Sequence, residues 1–260
     1  MEFKRALITG AAGRLGRAMA LELAEQGVDI AIHYNSSKAN AEKTQADLNA
    51  FGVKTTILQA DLNSQSATRT LVQKAADDLG RPLDILINNA SAFAYDTVET
   101  ATEESWDLHM QSNFQASFIL TQEFGKQAPT ASGEKGDRIA KAAIINIIDQ
   151  RIRKLTPGFM TYSLSKHGLW AMTRTTAQAL APHIRVNAIG PGPTLKAAEQ
   201  TEAHYQHQRQ NTILERGSDP EDIVDAMLFL LNAKSVTGQL ICVDGGQHLG
   251  WRTPDVQGLD

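Results

Sequence analysis

Polar and apolar positions along this chain repeat in one rhythm: a short β-rich apolar run, then a longer stretch with helical spacing. The rhythm predicts strands over 4–9, 28–34, 53–59, 83–88, 142–148, 183–189 and 239–243. Runs such as Ile85-Leu86-Ile87 and Ala143-Ile144-Ile145-Asn146-Ile147-Ile148 are nearly continuous in apolar residues. Strands read that way when helices cover both faces of their sheet. Seven such strands predict a doubly wound parallel α/β sheet in three layers, with right-handed crossovers and ligands bound at the carboxyl ends of the strands.

Two stretches interrupt the rhythm. Residues 125–141 are polar and rich in small residues, and they read as a surface loop before the fifth strand. Residues 191–218 have a weak apolar stripe and carry His204 and His207. This stretch reads as a mobile substrate lid, with an exposed helical excursion as the plainer alternative. His204 and His207 lie three apart without a third ligand, so a solvated helix face is expected there and no metal site.

Composition narrows the class. The chain has 260 residues, 42% hydrophobic and 21% charged, which suits one folded domain spanning 1–260. With 25 Lys and Arg against 29 Asp and Glu, the formal charge is −4, and no basic footprint for nucleic acid is present. Cys242 is the single cysteine, so no internal disulfide can form. The apolar run Ala6-Leu7-Ile8 is too short for a secretion signal, and no run reaches the ~18 residues of a membrane span. A cytoplasmic protein with a small-molecule substrate, and with neither a nucleic-acid nor a membrane partner, is expected.

The first strand runs into Thr9-Gly10-Ala11-Ala12-Gly13-Arg14-Leu15-Gly16 and a helix. Small residues at such a turn let the backbone approach a pyrophosphate, whose charge is favoured at a helix N-terminus. A merely tight turn is the alternative. After the second strand comes Tyr34-Asn35-Ser36-Ser37-Lys38, where an NAD-specific site would place a carboxylate for the ribose 2′-hydroxyl. No carboxylate stands there, so a 2′-phosphate and hence NADPH is expected, unless these residues only cap the next helix. Farther on, Tyr162 and Lys166 lie four apart in a segment with helical spacing, on one face. An ammonium beside a phenol favours the phenolate, so the pair is expected to bring the tyrosine's proton exchange toward neutral pH.

Taken in order, these motifs resemble the short-chain dehydrogenase/reductase family over essentially the whole chain. The match comprises the turn at 9–16, Asp61 after the third strand, Asn88-Asn89-Ala90 after the fourth, Asn113, Tyr162 with Lys166, Pro191-Gly192, and Asp244-Gly245-Gly246. The resemblance implies a Rossmann-type sheet of order 3-2-1-4-5-6-7, hydride transfer with a nicotinamide, and a homotetramer. It implies Tyr162 as general acid, Lys166 on the nicotinamide ribose and lowering the tyrosine pKa, and Asn113 holding a water. Gly10, Arg14, Leu15, Gly16, Tyr34, Asn35, Ser36, Ser37, Asp61, Leu62, Asn89, Ala90, Ser91, Pro191 and Gly192 would line the cofactor. Asp61 could instead cap the next helix, and Asn113 could be a buried structural amide.

Three departures narrow the resemblance. Arg14 replaces a glycine of the turn, Ser91 follows Asn88-Asn89-Ala90, and Asp149 stands where a catalytic serine is expected. All three resemble pteridine and dihydromonapterin reductases. That likeness implies Phe93 stacking on a pterin, Ser91 and Arg14 touching pterin or phosphate, and Asp149 pairing with Tyr162 to deliver a proton. Simpler roles are packing for Phe93, a solvated position for Arg14, and an ion pair with Arg151 or Arg153 for Asp149. Phe159 and Trp170 read as packing. An NADPH-dependent reductase of a pterin-type C=N bond is the expected function, against a generic carbonyl or 3-oxoacyl reductase and, in another class, a non-catalytic dinucleotide-binding regulator.

Overall fold

The computed structural model describes residues 2–133, 136–197 and 200–251. Seven strands form one all-parallel sheet: β1 Arg5–Ile8, β2 Asp29–Tyr34, β3 Thr55–Gln59, β4 Ile85–Asn88, β5 Ala142–Ile147, β6 Ile184–Pro191 and β7 Leu240–Val243. Their order is β3-β2-β1-β4-β5-β6-β7. This is the expected Rossmann-type arrangement, and each strand lies within two residues of its predicted span.

Alternate residues of each strand feed opposite faces. In β1, Ala6 and Ile8 join one core cluster while Leu7 joins the other. The first face is covered by α1 (Arg14–Glu25), α2 (Lys38–Asn49) and α8 (Pro220–Asn232); Met19, Leu23, Met227 and Leu230 supply buried contacts. The second is covered by α3 (Gln65–Leu79), α5 (Ala116–Gln127) and α6 (Met160–Ala179), through Leu71, Phe124 and Ala177. Each fully buried aliphatic side chain contributes ~1.5–3 kcal/mol, so the two layers hold the sheet firmly beneath the strand ends.

The chain reverses direction across the sheet between β1 and β4, and ligand crevices form at such switch points. The helix α4 (Glu103–His109) leads into a single π-helical stretch, Met110–Gln115, before α5. This change of period has no apolar signature in the sequence. The polar loop before β5 starts later than predicted, because α5 continues to Gln127. Positions 134–135 of that loop, like 198–199 of the predicted lid, lie outside the described residues. Pro191 belongs to β6, and the following segment carries α7 (Glu202–Gln210), none of whose residues is buried.

Candidate active site

Four strand ends deliver the site. The turn after β1 is fixed by its own Thr9 side chain and by side chains at the ends of β4 and β2. Thr9 Oγ1 accepts the backbone N–H groups of Asn89 and Ala90, both at 2.9 Å. Asn89 Nδ2 donates to Thr9 O at 2.8 Å. Gly10 has φ 66°, and a Cβ there would lie 3.2 Å from Ala90 Cα; a Cβ on Gly16 would lie 2.5 Å from Gly10 O. Glycine is therefore required at both positions.

His33, to which the sequence reading assigns no role of its own, completes this turn. Its Nδ1 accepts Gly10 N–H at 3.1 Å, so Nε2 carries the proton and donates to Ala60 O at 3.1 Å. Burial pushes its pKa down from 6.5. A group held neutral in the fold stabilises it fully above its unfolded pKa, and that stability is lost as pH falls from about 6.5 through the lower folded value. His109 shifts in the same direction for the same cause. The thermal midpoint is therefore expected to drop on acidification from about pH 6.5 toward 5. A His33→Gln variant should show a shallower drop; equal slopes would remove His33 as the source.

At the N-terminus of α1, Gly13 supplies no capping side chain and the first turn holds no acidic residue. Its free N–H groups suit an anion. Arg14, at φ 52°, reaches over the cleft toward the carbonyls of Leu195 and Lys196, at 3.4 and 3.3 Å. A cavity of about 440 Å³ runs from Gly10, Gly13, Leu15 and Gly16 past Asn89, Ala90 and Ser91 to Tyr162 and Lys166, with Pro191 and Gly192 on its other wall. Arg14, Ser91, Phe93 and Asp149 also border an adjoining compartment of about 750 Å³, into which His204, Tyr205 and Gln208 of α7 project. So α7 borders the site.

Tyr162 and Lys166 stand one turn apart on α6 and are both buried. Tyr162 Oη donates to Asp149 Oδ2 at 2.9 Å, and Lys166 Nζ donates to Ile147 O at 2.9 Å. Asp149 caps a short 3-10 turn, where Oδ1 accepts Arg151 N–H at 2.7 Å. Its carboxylate bonds the backbone of Arg151, and it faces the cavity. Burial raises the Asp149 pKa, while Arg151 N–H and the Tyr162 hydroxyl pull it down by hydrogen bonding. Burial also brings the Lys166 ammonium down to about 8.

The tyrosine itself corrects the sequence reading. Its pKa is raised well above 10, by burial first and then by the charge of Asp149. The ammonium of Lys166 does not set the direction, because it lies 5.6 Å from the ring centroid and bonds a carbonyl while the carboxylate touches the hydroxyl. Burial and the neighbouring carboxylate thus favour the neutral phenol over the phenolate.

Other predicted residues fall into place unevenly. The Asn113 side chain lies in the π-helical stretch, where Oδ1 accepts Ala92 N–H at 2.7 Å and Nδ2 donates to Ala92 O at 3.0 Å and Ser165 Oγ at 3.2 Å. Its amide clamps the segment after β4 that carries Ser91 and Phe93. Tyr34 packs in the core, with Asn35, Ser36 and Ser37 exposed after it. Asp61 accepts from Asn63 N at 2.9 Å, and Ser64 caps α3, so Asp61 is not that helix's cap. These residues, with Leu62, stand at the β2 and β3 ends beyond the cavity around Tyr162. His204 and His207 lie on the exposed α7.

Residues 10–248 match the family model for enoyl-(acyl carrier protein) reductase. The chain belongs to the short-chain dehydrogenase/reductase family. It is an oxidoreductase of that family. Among solved structures it is similar to FolM alternative dihydrofolate reductase 1 from Brucella suis in complex with NADP, at 40% identity and a TM-score of 0.89, covering 98% of both chains. An uncharacterised oxidoreductase of Bacillus subtilis is 34% identical across 94% of this chain and 96% of its own length. A 3-oxoacyl-(acyl carrier protein) reductase of Staphylococcus epidermidis is 30% identical across 95% of this chain and 99% of its own.

Proposed function

We propose that this family member is an NADPH-dependent reductase of pterin-type C=N bonds. One observation carries the reading: a half-buried carboxyl, Asp149, faces the cavity and holds the Tyr162 hydroxyl at 2.9 Å. Reducing a C=N bond needs a hydride on carbon and a proton on nitrogen. A carboxyl whose pKa is raised by burial can hold and pass such a proton, and the carboxylate left behind keeps its hydrogen bonds from Tyr162 and Arg151 N–H. A ketone instead develops oxygen charge, which an ionised carboxyl at that place would repel. The likeness to the dihydrofolate reductase of Brucella suis supports the pterin reading. The similar 3-oxoacyl reductase supports the rival one, a carbonyl reductase.

The chain's own features fit a dinucleotide. The uncapped turn at Gly13 would take the pyrophosphate, and Lys166 would meet the nicotinamide ribose. The start of α2 has neither a capping side chain nor an acidic residue in its first turn, and Ser36, Ser37 and Lys38 offer donors for a 2′-phosphate. When bound, NADPH supplies the hydride. Tyr162 and Asp149 supply and reset the proton, while Arg14 and Phe93 border the space for the ring. The segment near 191–218 acts as the lid, and the protein works as a cytoplasmic homotetramer without nucleic-acid or membrane partners.

The test is steady-state NADPH oxidation with dihydropterins beside 3-oxoacyl thioesters and simple ketones. Dihydropterins are expected to show the higher kcat/KM, and NADPH to outperform NADH. Turnover of carbonyl compounds alone would replace this reading with the rival one, and a kcat/KM for NADH equal to that for NADPH would contradict the cofactor assignment.

A further inference from the structure

Phe159, which reads in the sequence as ordinary packing, lies at the centre of a stack on the cavity wall. It precedes α6 with φ 58°, the left-handed backbone that a bulky residue rarely adopts and that clusters at functional sites. One face of its ring lies on Phe93, with centroids 4.4 Å apart and planes 14° from parallel. The Arg151 guanidinium carbon stands 4.6 Å from the same ring centroid. The Phe159 ring is thus in contact with both the cation and the second ring. Tyr95 closes its edge at 5.1 Å and 88°.

Phe93 is fixed by what lies behind and beside it. Phe159 covers one face, and the Tyr162 ring meets it edge-on at 4.8 Å and 86°. Phe93 is still 46% exposed, and it borders both cavity compartments. An exposed ring without backing would turn freely, and a flat ligand would have to immobilise it on binding. Here that cost is already met in the fold, by a residue in a backbone conformation that relaxation would otherwise abandon.

We infer that Phe159, backed by Arg151, is a positioning residue that sets Phe93 as a rigid platform and so selects planar heteroaromatic substrates over open-chain carbonyl compounds. The inference rests on the proposed reading of Phe93 as the surface that receives the substrate ring. A purely structural role would change both substrate classes alike. A positioning role changes only the flat one.

The experiment compares wild type, Phe159→Leu, Phe159→Tyr and Arg151→Met. Phe159→Leu is expected to raise KM for a dihydropterin about 3- to 10-fold with kcat moving less than about twofold, the scale of one aromatic pair. KM for a 3-oxoacyl thioester and the Kd for NADPH should stay within about twofold of wild type, Phe159→Tyr should restore the wild-type KM, and Arg151→Met should give a smaller rise. Equal effects on both substrate classes, or none on either, would overturn the inference while leaving the pterin activity in place. If wild type reduces no dihydropterin, the functional reading fails separately. Binding of an oxidised pterin, followed by quenching of its fluorescence with NADP present, then decides: weaker binding by Phe159→Leu upholds the platform, and equal binding or none to wild type overturns it.

Discussion

Tyr162→Phe is expected to lower kcat for the substrate by roughly 10²- to 10⁴-fold, the usual worth of a positioned proton donor, with KM nearly unchanged. The ring stays, so its edge contact with Phe93 and the burial of α6 are kept. The lost atom is the hydroxyl that touches Asp149. The variant should fold with a thermal midpoint close to wild type, which separates chemistry from stability. A variant that keeps full activity would mean that the proton comes from elsewhere.

Asp149→Asn carries the second large effect, a loss of about 10²-fold or more in kcat/KM for a C=N substrate, since the amide can neither hold nor release the proton. The pH dependence supplies the sign. Burial raises the Asp149 pKa, so the proton-loaded form persists above the ordinary carboxylate range and is lost as pH rises through the raised value. Wild-type kcat/KM should fall across that limb, and the limb should vanish in Asp149→Asn. Linkage runs the same way: a raised folded pKa gives stability below it that is lost as pH rises through it. Above the raised value, where the wild type bears the charged carboxylate, the variant's thermal midpoint should therefore equal or exceed that of the wild type. A less active and less stable variant would point to a structural role for the carboxyl.

Much of this was legible in the chain. Continuous apolar runs such as Ile144-Ile145 announce a sheet covered on both sides, and that sheet is found with its expected order. The spacing of four between Tyr162 and Lys166 places both on one helix face because it is a local property. The family resemblance singles out Asp149 as standing where a serine is expected, and its carboxyl meets the Tyr162 hydroxyl. What stayed hidden depends on contacts between residues far apart in sequence. His33 Nδ1 meets Gly10 N–H across 23 residues, and Phe159 meets Phe93 only after α6 docks. The direction of the Tyr162 pKa was misread because charges can be counted in a sequence, whereas burial, the larger cause, exists only in the fold. The bonds from the Asn113 side chain to the Ala92 backbone are equally hidden, because they come into reach through the π-helical turn.

The most direct test of the central claim is the ratio of kcat/KM for a dihydropterin to that for a 3-oxoacyl thioester, measured in wild type and in Asp149→Ser. If the carboxyl beside Tyr162 commits the pocket to protonating nitrogen, the ratio favours the pterin in wild type and falls by about 10²-fold or more in the serine variant, with carbonyl turnover rising. A ratio unchanged by the substitution would contradict the account.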